Sequence, residues 1–597
     1  MNPVSDKTWF KLPIDYLEES VVHELSSTVV SDLELATSSS ENVPSMYSVL
    51  LQPKTELTDA IIHRFSANYT SDVEFLNQSQ EIIKTIGAEK VGNIDGIRAK
   101  KLLHIWRDIY KVQQTDGSTE LDTFHERYGY IDFEQIRFIN KTSTFMGYWT
   151  IMNLVSPIFS IILPFLFIIA PFVILKIQSV PINFSTYIFM LKDLAKSHAI
   201  GKTLTSFENF SVNNFIYVVF TIAMYGLQMY QNCKHCARFY TNINVVNDHL
   251  LTVKEFVDSS IINVDAFVKT CAAKSKYARF CEDANKQLIV LREMKQDLVN
   301  VEKLDEGVWN TAKKCFDIGY LLKSYYCLYD NLEYKSAFSY AISFEAYRAA
   351  LSGIADRVQA NFVNYGSIHV SNKEISNRFS KQVYPPLIMS ANSPVANDLS
   401  LKKNLIITGP NASGKTTQLK STAINVIFTQ QFGVGFYASC ELAPYTHIHS
   451  YLNIPDTSGR DSLFQAEARR CKEIVDIIDD DGTKETKGTK HFCIFDELFS
   501  GTNAEEATSA SYGFLKYLQK YDNVDFILTT HFVKLCKKVK KNRALRIANY
   551  KMDATVGTGI LSNHIEFSYK LVGGISKIKA AKLILIQMGF PDEIVNS

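Results

Sequence analysis

The sequence predicts an α/β domain in its C-terminal third, preceded by an all-α core and lever region that contains an apolar helical hairpin. Three observations predict this. The apolar run Leu405-Ile-Ile-Thr408 enters a glycine-rich turn, and a helical stretch from Lys415 to Phe428 leaves it. A second apolar run, from His491 to Phe495, ends in the paired acids Asp496 and Glu497. Two further segments, Lys141 to Lys176 and Glu208 to Lys234, carry no charge between their end residues. Short apolar strands alternating with helices build parallel sheets, whereas long charge-free runs need an apolar environment on every side.

With 597 residues the chain exceeds what one compact core accommodates, so several domains are expected. The pattern divides it into a helical core-like region at 1–140, the apolar hairpin at 141–235, long lever helices at 236–380 and the α/β domain at 381–597. Tyr384-Pro-Pro386 marks the last boundary. Lysine plus arginine (63) nearly cancel aspartate plus glutamate (62), so a nucleic-acid surface would have to be a local patch. Met1 to Thr28 is polar with charges of both signs, and no signal peptide is expected. Ten scattered cysteines suit a reducing compartment. The close pair in Cys233-Lys-His-Cys236 has no second pair at zinc spacing and reads as reduced thiols, with a zinc site or acylation as alternatives.

In the hairpin, Trp149 to Leu175 is dense in Ile, Leu, Phe and Val, and Phe215 to Tyr230 is the second apolar centre. A bilayer core of about 30 Å takes about 20 apolar residues as helix, so the first run suffices and the second is borderline. Pro157, Pro164 and Pro171, seven apart, predict repeated kinks along one side. The loop between the runs carries Lys176, Lys192, Lys196 and Lys202 against Asp193, which opposes the positive-inside trend and favours a re-entrant or interfacial hairpin. Membrane association through 145–175 and 215–230 is expected, a buried or partner-binding hairpin being the alternative. The implied location is a membrane with the α/β domain facing cytosol or nucleoplasm; the alternative is soluble and intracellular.

Arg238 to Val301 and Leu304 to Asn361 have helical period, and the aromatic cluster Tyr320 to Tyr329 reads as core rather than as a base-stacking platform. Asp479 to Lys490 reads as a charged, solvated loop.

The chemistry lies in the α/β domain. Thr408-Gly-Pro-Asn-Ala-Ser-Gly-Lys-Thr-Thr417 fits G-x-x-x-x-G-K-[ST], in which backbone N–H groups and a helix N-terminus face phosphate oxygens. The candidate nucleotide-binding residues are Gly409, Pro410, Asn411, Ala412, Ser413, Gly414, Lys415, Thr416 and Thr417. Lys415 would reach the β- and γ-phosphates, and Thr416 with Asp496 would hold Mg²⁺. Glu497 is the candidate general base for hydrolysis of ATP. His531, in Thr529-Thr-His531 at the end of the strand Phe526 to Thr529, is placed to sense γ-phosphate. Ser500-Gly-Thr-Asn503 leads into a helix from Ala504 to Lys520. In Ser458-Gly-Arg-Asp-Ser-Leu-Phe-Gln-Ala-Glu467, Asp461 or Ser462 can cap the next helix.

These pieces in this order resemble the ATPase domain of the MutS family, the DNA mismatch repair ATPases. The resemblance runs from Val395 to Ile594 and includes Asn397-Asp398, Ile406 to Asn411, Gly459-Arg460, Ser462, Asp496-Glu497, Gly501-Thr502 and Thr530-His531. Tyr569 to Ser576, Ala580-Ala-Lys582 and Met588-Gly-Phe-Pro-Asp592 fit the family's closing strand and helix pair. It implies a P-loop ATPase of the ABC type, Mg²⁺-dependent, joined to lever helices. It also implies a homodimer or MutS-like heterodimer in which Ser462 completes the ATP site in trans, with Glu497, His531 and Lys415 as the catalytic residues. Mismatched or branched DNA is the implied substrate, in mismatch repair or recombination.

The departures bear on that substrate. No N-terminal recognition domain with a Phe-x-Glu wedge is recognised, and the apolar hairpin stands where the family's DNA clamp would interrupt the levers. Asn411-Ala-Ser-Gly414 replaces the common Asn-Met-Gly-Gly. A second expectation follows, a membrane-anchored MutS-like switch that does not recognise mismatches. The run Lys534, Lys537, Lys538, Lys540, Lys541, Arg543 and Arg546 is either a phosphate-contacting face or a solvated one.

Overall fold

The computed structural model describes residues 3–40, 43–89, 94–110, 124–177, 179, 183–197, 212–302, 311–370, 376–390, 394–452, 454, 462–483, 488–556, 565–578, 588 and 590–595. Ser458 to Asp461, Lys202 and Ala580 to Lys582 lie outside these. The chain forms two compact units, one from residues 1–101, 263–287 and 339–597 and the other from 102–262 and 288–338.

The first unit is organised by a six-stranded sheet. Its strands in chain order are β1 (Asn404–Thr408), β2 (His447–Tyr451), β3 (His491–Asp496), β4 (Val524–Thr530), β5 (Ile547–Val556) and β6 (Ile565–Gly573). They lie side by side as β2-β3-β4-β1-β5-β6, all parallel except the antiparallel edge strand β6. The central strands are apolar runs because parallel strands are covered on both faces: Ile406, Ile407, Phe492, Cys493, Ile494 and Phe495 have no exposed surface. The register pairs Asp496 with Thr529 and Thr530 with Thr408, so the C-terminal ends of β3, β4 and β1 form one rim.

Four helices follow the strands: α1 (Lys415–Phe432), α2 (Leu463–Thr483), α3 (Ala504–Leu518) and α4 (Val533–Lys541). Helices α2, α3 and α4 share one core with the sheet through residues such as Ile474, Ile478, Leu515, Leu518, Leu535 and Val539. Helix α1 is buried almost all round. The N-terminal residues cover it: Tyr47 donates to Gln431 Oε1 at 2.8 Å, and Gln430 Nε2 donates to Thr70 O at 3.1 Å. Gly433 ends α1 at φ +73°, and Gln80 Nε2 donates to its carbonyl at 2.8 Å. A four-stranded sheet built from Ser367–Ile368, Ser439–Leu442, Arg378–Gln382 and Asn397–Ser400 belongs to the same unit.

The second unit is helical. The first apolar run is one helix, Ser143–Ile177, continuous through Pro157, Pro164 and Pro171; the second opens a 60-residue helix, Val212–Cys271. The two are pinned by polar contacts: Asn232 Nδ2 donates to Ser160 Oγ at 2.6 Å, Cys236 Sγ to Leu154 O at 3.5 Å, and Tyr225 Oη to Ser160 O. Around these pins Ile158, Phe159, Ile162, Ile169, Phe172, Phe215, Phe220 and Ile222 are exposed. The stretch Ser143–Ile162 is long and apolar enough to cross a membrane. The aromatic cluster is core, as its amphipathic period implied: Tyr325 and Tyr326 are buried, and Phe124 stacks on Tyr329 with ring centroids 4.0 Å apart. Phe124-His125-Glu126 has the letters of a Phe-x-Glu wedge, but the Phe124 ring is held in that stack.

Candidate functional site

The predicted loop is the connection between β1 and α1. Gly409 is required by close approach, since a Cβ there would lie 2.6 Å from Ser413 Oγ and 3.2 Å from Met552 Cβ. Gly414, at φ +90°, stands at the helix N-cap in the left-handed region that glycine adopts most readily. Ala412 adopts φ +62° at the crown of the turn. From the first turn of α1, Lys415 reaches back over the loop, and its Nζ donates to Pro410 O at 3.1 Å. Thr416, one residue on, donates its hydroxyl to Asp496 Oδ2 at 2.9 Å, joining α1 to the end of β3.

Asp496 is held from a second side, because the Thr529 hydroxyl donates to its other carboxylate oxygen. Sequence reasoning gave Thr529 no role; its signal was register, since it pairs with Asp496 across β3 and β4. Glu497 leaves the strand at φ +53°, a conformation uncommon for glutamate that costs of order 1–3 kcal/mol and is fixed by its N–H donating to Thr529 O at 3.0 Å. The turn aims its carboxylate at His531, whose Nε2 is 2.8 Å from Glu497 Oε1.

Lys415 Nζ lies 3.2 Å from the same His531 nitrogen. Glu497 can only accept, so the Nε2 proton points to Glu497, and the Lys415 ammonium directs its protons toward Pro410 O. The hydrogen bond from His531 holds the Glu497 carboxyl below its usual range, against the opposing effect of burial, with the charges of His531 and Lys415 helping. Burial lowers the Lys415 ammonium, and Glu497 and Asp496 pull it back up. The structure therefore brings Lys415, Thr416, Asp496, Glu497 and His531 together.

Ser462 is a helix cap, not a member of that cluster. Its Oγ accepts from Gln465 N at 3.3 Å and its N–H donates to Gln465 Oε1 at 2.9 Å, a reciprocal capping box at the exposed start of α2. Glu467, one turn on and buried, was also missed by sequence reasoning: its carboxylate accepts from Ser500 N at 3.1 Å, Ser500 Oγ at 2.8 Å and Gly501 N at 3.2 Å. Gly501 permits this contact, because a Cβ there would lie 2.8 Å from Phe464 N. Asn503 caps α3, accepting from Glu506 N at 2.9 Å.

The basic run falls on α4 and the turn after it. Leu535, Cys536 and Val539 are buried, leaving Lys534, Lys537, Lys538, Lys540, Lys541, Arg543 and Arg546 exposed. Lys534 pairs with Glu505 at 3.2 Å, Arg546 lies 3.6 Å from Asp522, and Lys538 sits 4.4 Å over the Tyr512 ring.

Residues 405–597 match the family model described as MutS domain V. MutS protein homolog 4 of Mus musculus is 29% identical over 208 residues, covering 33% of this chain and 20% of that protein. DNA mismatch repair protein Msh3 of Dictyostelium discoideum is 28% identical over 221 residues, covering 34% of this chain and 14% of that protein. DNA mismatch repair protein MutS of Staphylococcus haemolyticus is 26% identical over 233 residues, covering 38% and 24%. The chain thus spans about a fifth of the length of the curated relatives it matches. This C-terminal region is thus similar to the MutS family.

Proposed function

We propose that this chain is a Mg²⁺-dependent P-loop ATPase that hydrolyses ATP to ADP and phosphate and uses the cycle to engage DNA in mismatch repair or recombination. The observation that carries the reading is the meeting of Lys415, Thr416, Asp496, Glu497 and His531 on one rim. In it, the backbone N–H groups of the Gly409 to Gly414 loop, Pro410 apart, cradle the phosphates, and Lys415 neutralises the β- and γ-oxygens. The Thr416 hydroxyl and Asp496 carboxylate, 2.9 Å apart, are the hard oxygen donors that suit Mg²⁺, which would neutralise phosphate charge when bound.

Glu497 takes the proton of the attacking water as its oxygen bonds to the γ-phosphorus and the bond to the β-γ bridging oxygen breaks. The low affinity of Glu497 for protons keeps it ionised to do so. His531 orients Glu497 through the 2.8 Å contact and turns toward the γ-phosphate as charge develops there. Ser462, with the free N–H groups at the start of α2, completes the site of a partner subunit, in a homodimer or a MutS-like heterodimer. The DNA substrate rests on the relatives, whose names include mismatch repair proteins.

A second reading is favoured by the exposed apolar residues of Ser143–Ile177 and of the helix beginning at Val212. In it the hairpin anchors the chain in a membrane, the ATPase faces the cytosol or nucleoplasm, and the cycle opens and closes a dimer without mismatch recognition. Steady-state ATP hydrolysis by detergent-purified protein, alone and with matched, mismatched or branched DNA, separates the two. Stimulation or suppression by DNA, reduced by charge reversal at Lys537, Lys540 and Lys541, supports the first; turnover blind to every DNA supports the second. Absence of nucleotide binding overturns both.

A further inference from the structure

At the other end of β3, away from the rim, three histidines and an aspartate gather. His447 and His449 on β2 and His491 on β3 lie on one sheet face, since His447 pairs with His491 in register. The His447 and His491 rings stack with centroids 4.7 Å apart. Asp481, in the last turn of α2, brings Oδ2 to 3.4 Å from His447 Nδ1 and 3.3 Å from His491 Nε2. One donor atom each of His447, Asp481 and His491 lies within 4.8 Å of the others.

Three features distinguish this arrangement from ordinary packing. His491 is fully buried, yet its Nε2 makes no hydrogen bond, not even to the Asp481 oxygen 3.3 Å away. Its Nδ1 is engaged by His449 Nε2 at 3.2 Å, which leaves the Nε2 lone pair directed at the carboxylate when Nδ1 carries the proton. In that tautomer two electron-rich atoms face each other, and a bound cation, like a proton on Nε2, would relieve their repulsion. The Thr446 hydroxyl, 3.0 Å from His447 Nδ1, has a second acceptor in Lys490 O at 3.1 Å, so the His447 nitrogen is not committed to it.

The spacings select the ion class. A tetrahedral edge is about 1.6 times the metal–ligand bond, so bonds of about 2.0–2.1 Å to nitrogen and oxygen place donors about 3.3–3.4 Å apart. Two imidazoles and one carboxylate suit Zn²⁺, whereas Mg²⁺ takes mostly oxygen. A cavity of about 370 Å³ lined by His23, His447, His449, Arg470 and Glu473 among others reaches the cluster at His447. We propose that His447, Asp481 and His491 bind a Zn²⁺-class divalent ion, with His449 positioning His491, and that the ion ties the far end of α2 to β2 and β3. Because Ser462 caps α2 and Glu467 lies on it, the ion would stiffen the helix that frames the phosphate site without belonging to it.

The test uses the full-length protein, stripped by chelator and free of nucleotide, titrated with Co²⁺ and then displaced by Zn²⁺. The expected result is one saturable equivalent with the intense visible bands of tetrahedral Co²⁺, bleached by Zn²⁺. Asp481→Asn and the more exposed His447→Ala should each weaken binding at least about tenfold, the lower end of what loss of even a supporting partner costs. Asp496→Asn should leave it unchanged, and near-ultraviolet circular dichroism of the stripped variants should match the parent. The proposal is overturned by the absence of a saturable signal, by affinity unchanged in both cluster variants, or by a signal lost only in Asp496→Asn, which would place the ion at the phosphate site.

Discussion

Glu467 and Ser500 are joined twice, the carboxylate of one accepting from both the backbone N–H and the hydroxyl of the other at 3.1 and 2.8 Å. The bond ties the helix that begins at Ser462 to the loop that follows Glu497. Glu467→Ala would leave the Ser500 and Gly501 N–H groups and the Ser500 hydroxyl without their carboxylate acceptor, and lost hydrogen bonds to a charged partner cost up to about 1.5–3 kcal/mol. We expect a lower first thermal transition and slower ATP turnover with nucleotide binding retained. Calorimetry and nucleotide titration on the same preparation check this; unchanged turnover would mean that α2 and the loop act independently.

Glu497→Gln keeps size and shape but removes the proposed base. Turnover should fall by at least about 10²-fold, the low end for a positioned general base. ATP should still bind, because Lys415 and the loop are intact, and the long-lived ATP state should be seen by single-turnover kinetics and gel filtration. Lys415→Ala should instead abolish binding itself. Normal turnover in Glu497→Gln would assign the base elsewhere.

Whether Ser462 acts on its own subunit or on a partner is decided by mixing. In a dimer with shared sites, pairing Ser462→Ala with Lys415→Ala protein leaves one intact site per mixed dimer. Random pairing then restores about a quarter of parental turnover. If each site is built within one chain, the mixture shows only the sum of the two impaired proteins.

The candidate site on the rim was legible because its elements are local. A buried parallel strand must be an apolar run, and the phosphate loop needs glycine at the two positions where close approach and a left-handed backbone demand it. Asp496, Glu497 and His531 could be named because each ends or follows such a strand. Thr529 and Glu467 could not, since their roles arise from register and from a helix docking on a loop about 33 positions away in sequence. The histidine cluster was invisible for the same reason: His447 and His491 meet only because β2 and β3 are neighbours. Asp481 read as one charge in a solvated loop, whereas helix α2 extends to Thr483 and places it beside them.

His125 gives the helical unit an acid-sensitive point. It is buried against Tyr326 and Tyr329 with Asp132 at 3.6 Å, and burial, partly offset by Asp132, lowers its affinity for protons. The folded state therefore stays neutral where the unfolded state gains a proton. Its contribution is constant above the free histidine value of about 6.5 and is lost below it, by at most about 1.4 kcal/mol per pH unit. Protection factors for hydrogen exchange around Phe124 to Tyr130, corrected for the intrinsic pH dependence of exchange, should fall between pH 7 and pH 5.5, and His125→Phe should flatten that change.

The hairpin gives the last prediction. Apolar helices in lipid gain little from burying more apolar surface against each other, so their association relies on packing and interhelical hydrogen bonds. In this hairpin Ser160 receives bonds from both Tyr225 and Asn232. Asn232→Leu should weaken the pairing by roughly 0.6–2 kcal/mol and leave the outer apolar surface unchanged. If that surface meets lipid, the protein should need detergent for extraction, and the variant should still sediment with membranes while a cysteine-crosslinked pair spanning the two helices forms less efficiently. If instead the surface meets a protein partner, the parent should stay in the supernatant after alkaline carbonate washing. In that case Phe159→Asp with Phe220→Asp should release it from a complex without affecting ATP turnover. Sedimentation that survives carbonate and is abolished by the same two substitutions would establish the anchor.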